Sequence, residues 1–179
     1  EIDRENKIIT DLLSMVRLDK KAANLNIEKV DITWMLEGII KRLRPIAQTR
    51  GIELILEVTQ SVQAEVDEGK LSLAFSNLIE NGIKYNVDGG WVRVTLNADK
   101  KYFYVTVADC GMGIPDDQQE HIFERFYRGD KSHSTTIEGT GLGLAITKSA
   151  ILLHHGVIRL NSKVGEGTTF NVRIPISRQ

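Results

Sequence analysis

"WVRVTLNADKKYFYVTVADCGMGIP" occupies residues 91–115. Apolar and polar residues alternate on either side of a polar turn at 98–101. A period of two predicts two strands joined as a hairpin, 91–97 and 102–109. In the second strand Phe103, Val105 and Val107 share one face, and Asp109 is in phase with them. The carboxylate therefore leaves the apolar face at the strand end, where it is costly unless hydrogen-bonded. Gly111 and Gly113 follow and leave room for a flat group to approach. An adenine amino group is the kind of donor that satisfies such a carboxylate. An aspartate capping its own turn is the structural alternative.

Outward from this hairpin the chain stays α+β. "VIRLNSK" and "TTFNVRIPI" form a closing hairpin around "VGEG". On the other side, "NIEKVDI" reads as an edge-like strand, and Asp31 caps a helix towards Thr49, with Pro45 as a kink and Gly51 as its stop. "IELILEV" and "VQAEV" read as two strands joined by a polar turn, and Asp67 caps a second helix to about Asn86. Residues 116–128 and 140–155 have helical patterns, and 129–138 do not. Strands outnumber helices and are mostly joined as hairpins. This predicts a two-layer α/β sandwich of the α+β class: a mixed, mostly antiparallel sheet with helices on one face. An isolated amphipathic helix precedes it over 1–24, with Ile9, Leu12, Leu13 and Val16 on one side. It either packs on the domain or is half of a helical hairpin or coiled coil.

The bulk properties set limits. A chain of 179 residues suits one domain with an appendage. The single cysteine, Cys110, excludes an internal disulfide and a Cys-rich metal site. A net charge of −1 provides no basic footprint for nucleic acid. No apolar run approaches the roughly 18 residues of a membrane span, and no signal peptide is visible. The chain starts at Glu1 in mid-pattern and reads as a piece of something longer.

Three further segments carry candidate chemistry. In "LSLAFSNLIENGIKYN", Asn77, Asn81 and Lys84 lie within a stripe about 60° wide, beside the core face of Leu71, Phe75, Leu78 and Gly82. Two asparagines there cost the helix roughly 1 kcal/mol relative to alanine. They make either a solvated polar face or an oxygen-rich magnesium site with Lys84 on a phosphate. In "IEGTGLGLAITKSA", residues 137–150, Gly139, Gly141 and Gly143 stand two apart just before a helix. Bare backbone at a helix start suits a phosphate, or simply a tight turn. Between these, the hydrophilic loop after Phe126 has the character of a lid, with Arg128 and Lys131 in reach of a phosphate, or of an ordinary exposed loop.

Taken in order, "NLIENGIKY", "DCGMGIP", "FERFYR" and "GTGLGL" resemble the asparagine, first glycine, phenylalanine and second glycine boxes of the sensor histidine kinases of two-component systems. Those kinases share the Bergerat ATP-binding fold of gyrase, Hsp90 and MutL. The resemblance covers residues 1–176, tail hairpin included. It implies ATP and Mg2+ as cofactors, with Asn77 and Asn81 at the metal and phosphates, Lys84 and Arg128 on phosphate, and Tyr85 lining the site. It also implies Asp109 as acceptor of the adenine amino group in a pocket shaped by Gly111, Gly113 and Ile114. Gly139, Thr140, Gly141, Leu142, Gly143 and Leu144 would hinge the lid and offer N–H groups. Residues 1–26 would be the end of the second dimerisation and phosphotransfer helix, and 27–179 the catalytic domain. The acceptor histidine of the family lies in a helix absent here. His121, His133, His154 and His155 lack its context, and Val157 stands where the family often has glycine. The implied partners are that missing helix and a response-regulator receiver domain. The implied setting is a cytoplasmic domain of a membrane-anchored homodimer. Two rivals are a gyrase- or MutL-like ATPase, which needs a carboxylate where Asn77 stands, and a degenerate docking module.

Overall fold

The computed structural model describes residues 24–124 and 143–177. The expected N-terminal helix, but for its last residue, lies outside them, as do the loop at 129–138 and the residues Arg128, Gly139, Thr140, Gly141 and Leu142. The described chain runs β1 (Ile27–Asp31), α1 (Ile32–Gln48), β2 (Glu53–Val58), β3 (Gln63–Asp67), α2 (Glu68–Lys84), β4 (Trp91–Ala98), β5 (Tyr102–Asp109), α3 (Asp116–Gln119), α4 (Gly143–Leu153), β6 (Val157–Lys163) and β7 (Gly167–Pro175). The two long helices start where aspartate side chains cap them. Asp31 accepts from the N–H of Trp34 and Asp67 from that of Lys70, both at 3.1 Å.

The large sheet has strand order β2-β4-β5-β7-β6, and only β2–β4 is parallel. Its register aligns one apolar face. Val94 stands opposite Val107, which stands opposite Phe170; Leu96 stands opposite Val105, which stands opposite Val172. α1 covers this face with Ile32, Met35, Leu36, Ile39, Ile40 and Leu43, and α2 with Leu71, Phe75, Leu78 and Ile79, all in one buried cluster. Each such side chain contributes roughly 1.5–3 kcal/mol by leaving water. The opposite face is polar: Thr95 and Thr106 hydrogen-bond across it, and Arg173 lies over the Tyr102 ring. One buried and one solvated face is the economy of an antiparallel sheet.

The hairpins 91–109 and 157–175 form as read from the sequence. Strands β2 and β3 form where the sequence places them, joined by residues 59–62, but they do not pair with each other. β2 joins β4 in parallel, so that Leu54 and Leu56 extend the apolar face beside Val92 and Val94. β3 pairs with β1 in a separate two-stranded ribbon. The ribbon is tied to the large sheet where the N–H of Glu65 donates to Ile176 O at 2.8 Å. Among the described residues of the helix expected over 116–128, only Asp116–Gln119 is α-helical, and residues 120–123 turn. Tertiary contacts end it: the Gln119 amide donates to Ile114 O and Ser162 O, and Phe123 packs edge-on against Phe170.

Candidate functional site

Where the apolar face runs out at one end of the sheet, three polar residues continue it in register. Val92 is opposite Asp109, Asp109 is opposite Thr168, and Thr168 is opposite Ser162. Asp109 Oδ1 accepts from the N–H of Gly111 at 2.8 Å and of Thr168 at 3.2 Å. Oδ2 has no donor among the described residues, and no buried side-chain oxygen there lacks a partner, so Oδ2 faces open space. It points towards α2 at Gly82, where a Cβ would lie 3.6 Å from it. Burial pushes the Asp109 carboxyl above the usual carboxylate range, against the pull of the two N–H groups. Half of this carboxylate is thus committed to the protein and half is presented to a cleft.

The loop after Asp109 is fitted to its neighbours with no room to spare. A Cβ on Gly111 would stand 2.4 Å from Tyr85 O, and one on Gly113, whose φ is +75°, 2.2 Å from Lys163 O. Only glycine meets both conditions at Gly113. The N–H of Met112 donates to Tyr85 O at 3.1 Å, and that of Ile114 to Ser162 Oγ at 2.8 Å. Ser162 Oγ also meets Thr168 Oγ1 at 2.8 Å and donates to Gly167 O. Ile114 packs on the core.

Further along α2 the site changes character. Asn77, only 6 % exposed, donates its amide to Gly143 O at 3.1 Å, which brings α2 to the start of α4. Thr147 holds the same carbonyl at 2.9 Å. Asn81 is half-buried, and its carboxamide has no partner among the described residues. Lys84 closes the helix and is half-buried. Leu144 packs against the core. No cluster of three or more His, Cys, Asp or Glu suited to a metal occurs among the described residues. The oxygens on offer are carboxamides, which suit a hard, hydrated cation carrying its own anionic ligands.

α2 is therefore the spine of the site. It brings Asn77 to Gly143 and Leu144, and its other end, through Gly82 and Tyr85, to Asp109, Gly111 and Met112. The placement of Arg128, Gly139, Thr140, Gly141 and Leu142 relative to it lies outside the described residues. Sequence reasoning missed Thr168 and Ser162. Their signal was register: once the hairpin around "VGEG" is paired, position 168 falls opposite 162. It also missed Asn86, whose amide donates to Gly82 O and Trp91 O. His154, expected only as a structural or solvated residue, is buried and accepts the Asp67 N–H on Nε2 while Nδ1 meets Ala150 O.

Comparison with known proteins adds an independent line. The family described as histidine kinase-, DNA gyrase B-, and HSP90-like ATPases matches residues 66–178. The sensor histidine kinase RppB of Synechocystis is 36 % identical over 97 % of this chain and 38 % of its own length. The sensor histidine kinase WalK of Bacillus subtilis is 33 % identical over 100 % of this chain and 30 % of its own. The chain thus spans less than half the length of these curated relatives. In structure it is similar to full-length ShkA in complex with AMPPNP, with a TM-score of 0.84 and 28 % identity over 96 % of this chain and 36 % of that one.

Proposed function

This chain belongs to the histidine kinase-, DNA gyrase B-, and HSP90-like ATPase family, and we propose that it is the ATP-binding catalytic domain of a sensor histidine kinase. Its reaction is transfer of the γ-phosphoryl group of MgATP to a histidine on a helix outside this chain, for relay to a response-regulator aspartate. The domain spans 27–179, and residues 1–26 belong to the dimerisation and phosphotransfer helix of a homodimeric, membrane-anchored parent, with this domain on the cytoplasmic side. The observation that carries the reading is the divided carboxylate of Asp109: Oδ1 is spent on Gly111 and Thr168, and Oδ2 is left to accept an amino group.

In this reading the adenine amino group donates to Asp109 Oδ2, and Gly111, Gly113 and Ile114 shape the pocket around the ring. Tyr85 lines it. The oxygens of Asn77 and Asn81 would hold Mg2+, which would supply charge neutralisation on the phosphate oxygens. Lys84 and Arg128 pair with phosphates, and Gly139, Thr140, Gly141, Leu142, Gly143 and Leu144 form the hinge and N–H cradle of the lid. The new bond joins γ-phosphorus to an imidazole nitrogen, the bond to the β–γ bridging oxygen breaks, and ADP leaves. Such transfer depends on positioning and charge stabilisation, which this chain supplies.

Calorimetric titration with a non-hydrolysable ATP analogue, with and without magnesium, tests the reading beside Asp109→Asn. Magnesium-dependent binding lost in the variant is the expected result. A folded parent chain that binds no nucleotide would overturn it in favour of a docking module.

A further inference from the structure

One arginine outside every box holds the end of α2. Arg50 sits in the turn between α1 and β2, and its side chain is about two-thirds buried, with 32 % exposed. Nη1 donates to Ile83 O at 2.5 Å and to Lys84 O at 3.0 Å, and Nη2 donates to Asn86 O at 2.6 Å. Nε donates to Asp88 Oδ1 at 3.0 Å. The backbone joins in, since the N–H of Gly89 donates to Arg50 O at 3.0 Å. The carbonyl this grip skips, Tyr85 O, accepts from the N–H of Met112 at 3.1 Å. So the four consecutive carbonyls of residues 83–86 are all used, three by Arg50 and one by the loop that follows Asp109.

The chemistry suits the place. The last carbonyls of a helix lack intrahelical donors and carry the negative end of its dipole. A planar guanidinium can satisfy several at once with a full charge, which an ammonium cannot do in the same geometry. Asp88 is itself largely exposed and anchors only the near edge of the fork.

From this geometry we infer that Arg50 is a positioning residue of the nucleotide site, an inference that rests on the reading above. It sets the spacing between the last turn of α2, whose phosphate-facing side carries Asn81 and Lys84, and the adenine-side loop of Gly111 and Met112. Both halves of the site are registered through the same short segment, and Arg50 holds that segment from behind.

The test is affinity for a non-hydrolysable ATP analogue with magnesium, measured well below the melting temperature of each variant. Arg50→Ala should weaken binding by roughly tenfold or more, the worth of one charge-assisted hydrogen bond. Arg50→Lys should fall between the two. Millimolar methylguanidinium should restore affinity to Arg50→Ala, and methylammonium should not; a merely stabilising arginine would not show this rescue. Arg93→Ala removes an arginine that lies over Trp91 on the solvated face and should bind like the parent chain. A folded Arg50→Ala with parental affinity overturns the inference, and if that variant does not fold, parental affinity in Arg50→Lys does so. Failure of the unsubstituted chain to bind would instead sink the proposed function, so the two failures are distinguishable.

Discussion

The two ends of the cleft along α2 are built on opposite principles. At the Asp109 end hydrogen bonds link Gly111, Asp109 Oδ1, Thr168, Ser162 and Ile114 on strand ends, Met112 is tied to Tyr85 O, and Asp109 Oδ2 has no donor among the described residues. Towards the Asn77 side the Asn81 carboxamide has no partner among the described residues, and the Asn77 amide reaches the carbonyl of Gly143. In the proposed function the first end is preorganised for a flat, neutral group that must fit, and the second is a set of hard oxygens whose order a charged ligand would complete. Preorganisation cuts the entropy lost on binding, and an open polar edge leaves room for phosphates to change charge and position during transfer. Specificity should therefore sit at Asp109 and metal dependence at the asparagines.

That contrast can be broken most forcefully at Gly113. Gly113→Val meets both a positive φ and the Lys163 carbonyl, and should cost several kcal/mol or abolish folding, as read by denaturant titration. Asp109→Asn comes next. It should keep the fold by circular dichroism and lower nucleotide affinity by roughly a hundredfold, because an amide that donates to the adenine amino side leaves a pair of donors facing. Asn81→Ala should lower affinity roughly tenfold with magnesium and much less without it. If both ends lost affinity equally with and without the metal, the proposed division between them would fail.

The pH dependence sharpens the same comparison. Burial leaves the folded Asp109 carboxyl above its usual range despite its two N–H donors, Gly111 and Thr168. Ionising it therefore costs stability, and this cost grows as pH rises from the ordinary carboxylate pKa through the raised one. Nucleotide affinity runs the other way and should fall as pH drops through that raised value. Asp67 is shifted in the opposite direction. Burial opposes it, but the N–H groups of Lys70 and Asn26 and the Lys70 ammonium together hold its carboxyl below the usual range. Its contribution is present above the unfolded carboxylate pKa, about 4, and is lost as pH falls through the depressed folded value. Asp67→Ala should cost about 1 kcal/mol at neutral pH, the worth of a helix N-cap, and progressively less in acid. Urea titration at two pH values checks this smallest effect.

Much of the cleft was legible in the linear chain because its signals are local. A period of two placed Asp109 on the apolar face, and a period of 3.6 put Asn77, Asn81 and Lys84 beside Leu78 and Gly82; both hold in the structure. The caps at Asp31 and Asp67 were legible for the same reason, since a cap bonds within three residues. What the linear chain left open was non-local. "IELILEV" and "VQAEV" carry the right residues for strands, but nothing in either run says that one joins β4 in parallel and the other joins β1. The α-helix beginning at Asp116 likewise ends after Gln119, whose partners lie across the fold.

Sequence alone determined the strands, the helix caps, the order of the glycine and asparagine boxes, and the resemblance they carry, because each depends on residues a few positions apart. Tertiary structure decided which strands pair, that Thr168 and Ser162 complete the Asp109 network, and that Arg50 closes α2 from 33 to 36 residues away. Those contacts depend on how the apolar faces of separate elements come to share one core, and only the folded chain specifies that.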